Sequence, residues 1–197
     1  MKKLITISRE FGAGGGEIGT RVAEKLGFEY FDKELIIQAA KKANVGMDEV
    51  FNMDEVVPMN FGFTQSLFDM YNAPLNERLF SAQRDVIRKI GEHGKCVIVG
   101  RNANSILSEY DDSLHVFIHA DLYWRAMRLK QEKMPEKTEQ QIIANIRTVD
   151  KKRRKYCSYY TNTEFGDSRY YDLCLDSSSL GIDECVKIIC DIAKETN

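Results

Sequence analysis

The sequence predicts a doubly wound α/β fold, a five-stranded parallel sheet with helices on both faces. Three observations lead there. Five short apolar runs are each followed by a segment of helical character, almost no tight hairpin separates them, and a glycine cluster lies between the first strand and the first helix. Strands separated by helices pair in parallel through right-handed crossovers.

The elements follow in order. Lys3 to Ser8 (KLITIS) reads as a buried strand, and Glu17 to Leu26 as a helix with Ile18, Val22 and Leu26 on one face. Phe28 to Phe31 is a second short strand, after which Asp32 caps a helix to about Lys42. Residues 45–76, rich in Met, Phe and Asn, lack a clear period and are expected to form an insert. A helix over Glu77 to His93 ends at Gly94 and leads into Lys95 to Val99, the clearest buried strand. Leu114 to His119 is the fourth strand, followed by a helix over Asp121 to Lys133. Thr138-Glu139-Gln140-Gln141 has the capping-box form that opens a long helix toward Tyr159. Tyr171 to Asp176 is the fifth strand, and an amphipathic helix over Ile182 to Lys194 closes the chain.

A chain of 197 residues with 43% hydrophobic residues and three prolines is expected to form one domain over 1–197 with a real core, which excludes a disordered or disulfide-stapled scaffold. The five cysteines, Cys96, Cys157, Cys174, Cys185 and Cys190, show no paired or metal-binding spacing and read as reduced core residues. No run approaches a membrane span or a signal-peptide core, so a cytoplasmic protein without membrane contact is expected. The net charge of −2 argues against a general polyanion binder. Between Asp121 and Tyr160, however, eleven basic side chains face five acidic ones. Aromatics beside Lys151 to Lys155 suit a single strand, but the balanced total makes nucleic acid a minor reading. His93, His115 and His119 lack zinc spacing, and His115 and His119 share one strand face as packing residues.

Ser8 to Glu17 (SREFGAGGGE) lies where backbone N–H groups and a helix dipole make an anion site. Two phosphate-binding readings compete. Gly14 to Gly19 satisfies GxGxxG, and Asp32 lies where a dinucleotide fold places its ribose-binding acid. Six residues separate Ile7 from Gly14, though, and no second mononucleotide half is visible. The other reading is a modified phosphate loop built from Gly12, Ala13, Gly14, Gly15 and Gly16. Here Gly15 stands where the lysine of GxxxxGK[ST] belongs, and Gly16 where the magnesium-binding hydroxyl belongs.

The segments Ile5 to Gly12, Glu24 to Glu34, Val97 to Arg101, Asp150 to Arg153 and Tyr171 to Leu173 together resemble the cytidylate kinase-like family, nearly end to end. Its members share an S-R-E-[FY]-G loop without the lysine. The resemblance implies a nucleoside monophosphate kinase-like fold with a lid over about 121–155, and phosphoryl transfer from ATP, with Mg²⁺, to CMP or another nucleoside monophosphate. A loop without lysine needs another cation, and Arg9, within the loop, is the candidate. Arg125 and Arg128, three apart on one helix, resemble the lid arginines that clamp phosphates. Arg101, after the third strand, resembles an acceptor-facing arginine, with Asn102 where the family's kinases carry aspartate. Asp150 and Arg153 match a D-x-x-R acceptor motif, though i, i+3 spacing also suits an ordinary helix ion pair. Asp32 and Lys33 border the same edge, where Asp32 either meets the acceptor or simply caps its helix. Mg²⁺ is expected on nucleotide phosphates and water, with no protein ligand. The alternative function is a nucleotide- or phosphate-binding regulatory module without catalysis, and a dinucleotide-dependent oxidoreductase ranks below it. Small-molecule nucleotides are the expected partners, and the sequence leaves the oligomeric state open.

Overall fold

The structure is a computed structural model that describes residues 1–36, 77 and 80–195. The expected insert at 45–76, and the helix beyond residue 36, lie outside the described residues.

The elements run β1 (Leu4–Arg9), α1 (Gly15–Leu26), β2 (Glu29–Phe31), α2 (80–93), β3 (Cys96–Val99), α3 (Ala103–Ile106), β4 (Ser113–His119), α4 (Leu122–Glu132), α5 (Glu139–Thr161), β5 (Leu173–Asp176), α6 (Ser177–Leu180) and α7 (Ile182–Glu195). The five strands form one sheet in the order β2-β3-β1-β4-β5. Every pairing is parallel, with Ile5 opposite Val97 on one side and Leu114 on the other. The order also rejects the dinucleotide reading. There, β2 adjoins β1, whereas here β3 is inserted between them.

Central strands covered on both faces need continuous apolar runs, which is what LITI and CVIV supply. On one face, Ile5, Ile7, Val97, Val99, Val116 and Ile118 pack against Ile18 and Val22 of α1 and Val186 and Ile189 of α7. On the other, Leu4 and Ile98 meet Val86 and Ile87 of α2 and Ile106 of α3. Each such side chain stabilises the fold by roughly 1.5–3 kcal/mol relative to exposure. A smaller cluster, Ala126, Leu129, Ile142 and Ile146, holds α4 against α5.

The capping box at Thr138 forms as its sequence dictates. Gln141 donates its backbone N–H to the Thr138 hydroxyl while its side chain accepts from the Thr138 N–H. Asp121 caps α4 by accepting from the N–H groups of Tyr123 and Trp124. Of the cysteines, all unpaired, Cys96, Cys157, Cys185 and Cys190 are buried, while Cys174 is exposed and so departs from the expected core set. Burial pushes the Cys96 thiol up to about 12, which makes it inert. Among the described residues, no helix is long and apolar enough to cross a membrane.

Candidate phosphate-binding site

All five strands point their carboxyl ends at one edge, and the turns leaving them carry the candidate residues. Arg9 ends β1, Asp32 follows β2, Gly100 and Arg101 follow β3, Asp121 follows β4 and Ser177 follows β5. In open α/β sheets this edge is where ligands bind.

The glycine loop turns through Gly12 and Gly14, both at positive φ, and Gly14 is the N-cap of α1 with no side-chain cap hydrogen bond. The start of α1 therefore lacks a side-chain cap, and its residues Gly15 and Gly16 line a cleft of about 320 Å³. Arg9, Gly14, Gly15, Gly16, Arg128 and Lys133 line it, together with Glu17 and Glu132. A Cβ on Gly16 would meet nothing within 4 Å, so none of the described residues packs against that side of the loop.

Three fastenings hold the loop. The fully buried Ser177 donates its hydroxyl to the carbonyl of Ala13 at 2.8 Å. Asp150 accepts the N–H of Phe11 at 2.8 Å. Beneath them, Arg125 forms an ion pair with Asp150 at 2.7 Å, reaches Glu10 at 3.5 Å and donates to the carbonyl of Phe11 at 3.3 Å. Arg125 and Asp150 are only 6% and 3% exposed. A buried guanidinium is tolerated because two carboxylates and a carbonyl surround it.

This geometry draws apart two expected pairings. Arg125 and Arg128 do not form one clamp: Arg125 turns under the loop, while Arg128 stands at its mouth. There it holds Glu17 at 2.5 Å and Glu132 at 3.1 Å, with its guanidinium over the Trp124 ring. Asp150, expected at the acceptor with Arg153, accepts from the Phe11 N–H and from Arg125. Arg153 donates to the carbonyl of Arg9 at 2.8 Å and lies over the Phe11 ring.

A second, much smaller recess of about 20 Å³ lies on the β3 side, lined by Ser8, Arg9, Gly100, Arg101, Asn102, Arg153, Tyr156 and Phe165. Gly100, Arg101 and Asn102 all have positive φ, a strained turn that two residues with side chains enter at a cost of about 1–3 kcal/mol each. That turn leaves Arg101 buried over the Tyr156 ring at 5.9 Å. Arg9 and Arg153 line both clefts. Asp32 accepts from the N–H groups of Glu34 and Leu35 and so caps the helix that follows it.

Sequence reasoning missed Ser177, Glu10 and Glu17 as parts of the site. The run Asp176-Ser177-Ser178-Ser179 carried a signal for the first, since Asp176 caps the short helix after β5 there. Among the described residues, no cluster of His, Cys, Asp or Glu could hold a metal ion. Gly16, at the hydroxyl position, offers a Mg²⁺ ion no side-chain oxygen there.

Solved structures share this fold. An uncharacterized protein from Eubacterium ventriosum ATCC 27560 superposes with a TM-score of 0.76 at 24% identity, over 99% of this chain and 100% of that one. Shikimate kinase from Bacteroides thetaiotaomicron gives 0.56 at 13% identity, over 98% and 99%. Shikimate kinase from Acinetobacter baumannii, in complex with shikimate, gives 0.51 at 12% identity, over 100% and 96%. Among curated proteins, none matches the chain. The kinase-like sheet order and the lysine-free loop agree with a match over residues 4–179: the chain belongs to the cytidylate kinase-like family.

Proposed function

We propose that the protein transfers the γ-phosphoryl group of ATP to a small acceptor, CMP or another nucleoside monophosphate. The observation that carries this reading is the position of Arg9 and Arg153, which line both the glycine-loop cleft and the β3-side cleft. A group passing from donor to acceptor crosses the boundary between two such clefts, and phosphoryl transfer depends chiefly on positioning and on neutralising charge there.

In this reading the uncapped N–H groups of α1 and Arg128 hold the donor phosphates, with Glu17 and Glu132 aligning Arg128 until phosphate competes for it. Arg101 and Arg153, which line the recess on the β3 side, meet the acceptor phosphate. An acceptor phosphate oxygen attacks the γ-phosphorus, the bond to the β,γ-bridging oxygen breaks, and ADP leaves. Mg²⁺, arriving with ATP, supplies charge neutralisation on the phosphates. Arg125 and Asp150 act through the loop backbone as positioning residues.

A second reading, a nucleotide- or phosphate-binding module without turnover, draws on Gly15 and Gly16 in place of the lysine and hydroxyl. ATP consumption with Mg²⁺, measured against a panel of nucleoside monophosphates with ATP binding followed in parallel, separates the two. Turnover on at least one panel member is expected. Binding without turnover across the panel would favour the module, and absence of ATP binding would sink both.

A further inference from the structure

With Gly14 as the second glycine of Gly-x-x-x-x-Gly-Lys-Ser/Thr, the first glycine position falls on Arg9 and the lysine position on Gly15. The cation and the glycine of the motif have changed places. In space these two positions touch. A Cβ built on Gly15 would lie 2.6 Å from Cβ and 2.7 Å from Cγ of Arg9, closer than real Cβ contacts come. Beyond Gly15 the Arg9 side chain continues toward β3, where a Cβ on Gly100 would overlap its Nη1 and lie 3.0 Å from its Cζ.

The backbone gives no reason for glycine at position 15. Gly15 is the first residue of α1, without the positive φ of its neighbour Gly14, and a helical glycine costs about 0.5–1 kcal/mol relative to alanine. The reason is the side chain passing over it. By contrast, a Cβ on the next residue, Gly16, would meet open space.

We infer that Arg9 is the loop's cation moved by six positions, and that a side chain at 9 and one at 15 exclude each other. Gly15 and Gly100 are the two walls of the channel that Arg9 occupies. The displacement also changes what the cation does. A lysine at 15 would project from the start of α1 into the phosphate cradle, whereas the Arg9 guanidinium lies beside Gly100, at the wall shared with the β3-side cleft. It therefore meets the terminal, transferable phosphoryl group of a nucleoside triphosphate, and its planar fork engages two of that group's oxygens. This second half rests on the proposed function, while the packing half does not.

Two measurements test the halves separately. The first is a stability cycle by thermal melting on the full chain. G15A is expected to lower the melting temperature by several degrees in the Arg9 background and to raise or leave it unchanged in R9G, with G16A as the control that behaves alike in both. Equal effects of G15A in the two backgrounds would overturn the exclusion. The second is titration of ATP with Mg²⁺ into the unaltered protein, R9G, G15K and R9G/G15K. R9G and G15K should each weaken binding by about tenfold or more, while R9G/G15K, with the cation restored at its usual place, should recover most of it. A double variant no tighter than R9G would overturn the cation assignment. If the unaltered protein fails to bind ATP, the proposed function falls and the cation assignment with it, and the melting cycle alone decides the packing.

Discussion

His115 shows how one residue can tie the stability of this sheet to pH. It lies buried in β4, with Nδ1 2.8 Å from the Thr6 hydroxyl of β1 and Nε2 3.0 Å from the Ser113 hydroxyl, while its backbone N–H donates to Asp172. Burial lowers its affinity for a proton below that of a free imidazole; Asp172 pulls the other way, and Lys2 adds to the lowering. The unfolded chain then binds the proton more tightly than the folded one. The sign follows: the stability His115 contributes is fully present above its ordinary value of 6.5 and falls away as pH drops from there toward its lowered folded value. Urea denaturation at pH 7.5 and pH 5.5 should therefore show a loss of stability on acidification that is smaller in H115Q. The same loss in both proteins would remove His115 as the cause. This is a structural histidine, as its sharing of one strand face with His119 suggested, and it needs no ligand to account for it.

Between elements, the decisive contact is the Arg125–Asp150 pair, which joins α4 and α5 to each other and both to the loop after β1. Removing one partner strands the other as a buried charge, so D150A should destabilise the protein by about 3–5 kcal/mol in chemical denaturation, beyond what any exposed pair would do. R125M/D150L, which removes both charges, should recover a large part of that loss. Equal stabilities for D150A and the double variant would show that the carboxylate serves only the Phe11 N–H. The pair was not legible in the sequence, where Arg125 and Asp150 stand 25 positions apart and each had a nearer partner of suitable spacing, Arg128 and Arg153. What the sequence did disclose was local. Buried strands declared themselves through β-branched runs, and the start of α5 through the side-chain chemistry of four adjacent residues. Helices of four residues, Ala103–Ile106 and Ser177–Leu180, are too short to show a period, and only the second left a trace, the cap at Asp176. Glycines told the reader that a loop was there, but not which side chain each one makes room for, because that depends on contacts made only in the folded chain.

For the molecule as a whole, the sheet order fixes where the two clefts lie. With β1 central, its outgoing loop faces α4 and α7 on one side and the turn after β3 on the other, so the two clefts meet along Arg9 and Arg153. Arg101 lines only the β3-side cleft and Arg128 only the loop cleft. If the donor occupies the loop cleft and the acceptor its neighbour, the kinetic consequences of losing each arginine differ in kind. R101A should raise the KM of the acceptor by about tenfold or more and leave that of ATP nearly unchanged, since a charge-assisted contact in the ground state is lost on one substrate only. R128A should act on the ATP term and on kcat, because its guanidinium must leave Glu17 and Glu132 to meet charge on the donor phosphates. R153A, at the boundary, should move both KM values together. Two-substrate steady-state kinetics on the acceptor found in the panel reads all three effects in one experiment. An R101A defect confined to ATP, or an R128A defect confined to the acceptor, would mean that donor and acceptor occupy the two clefts the other way round.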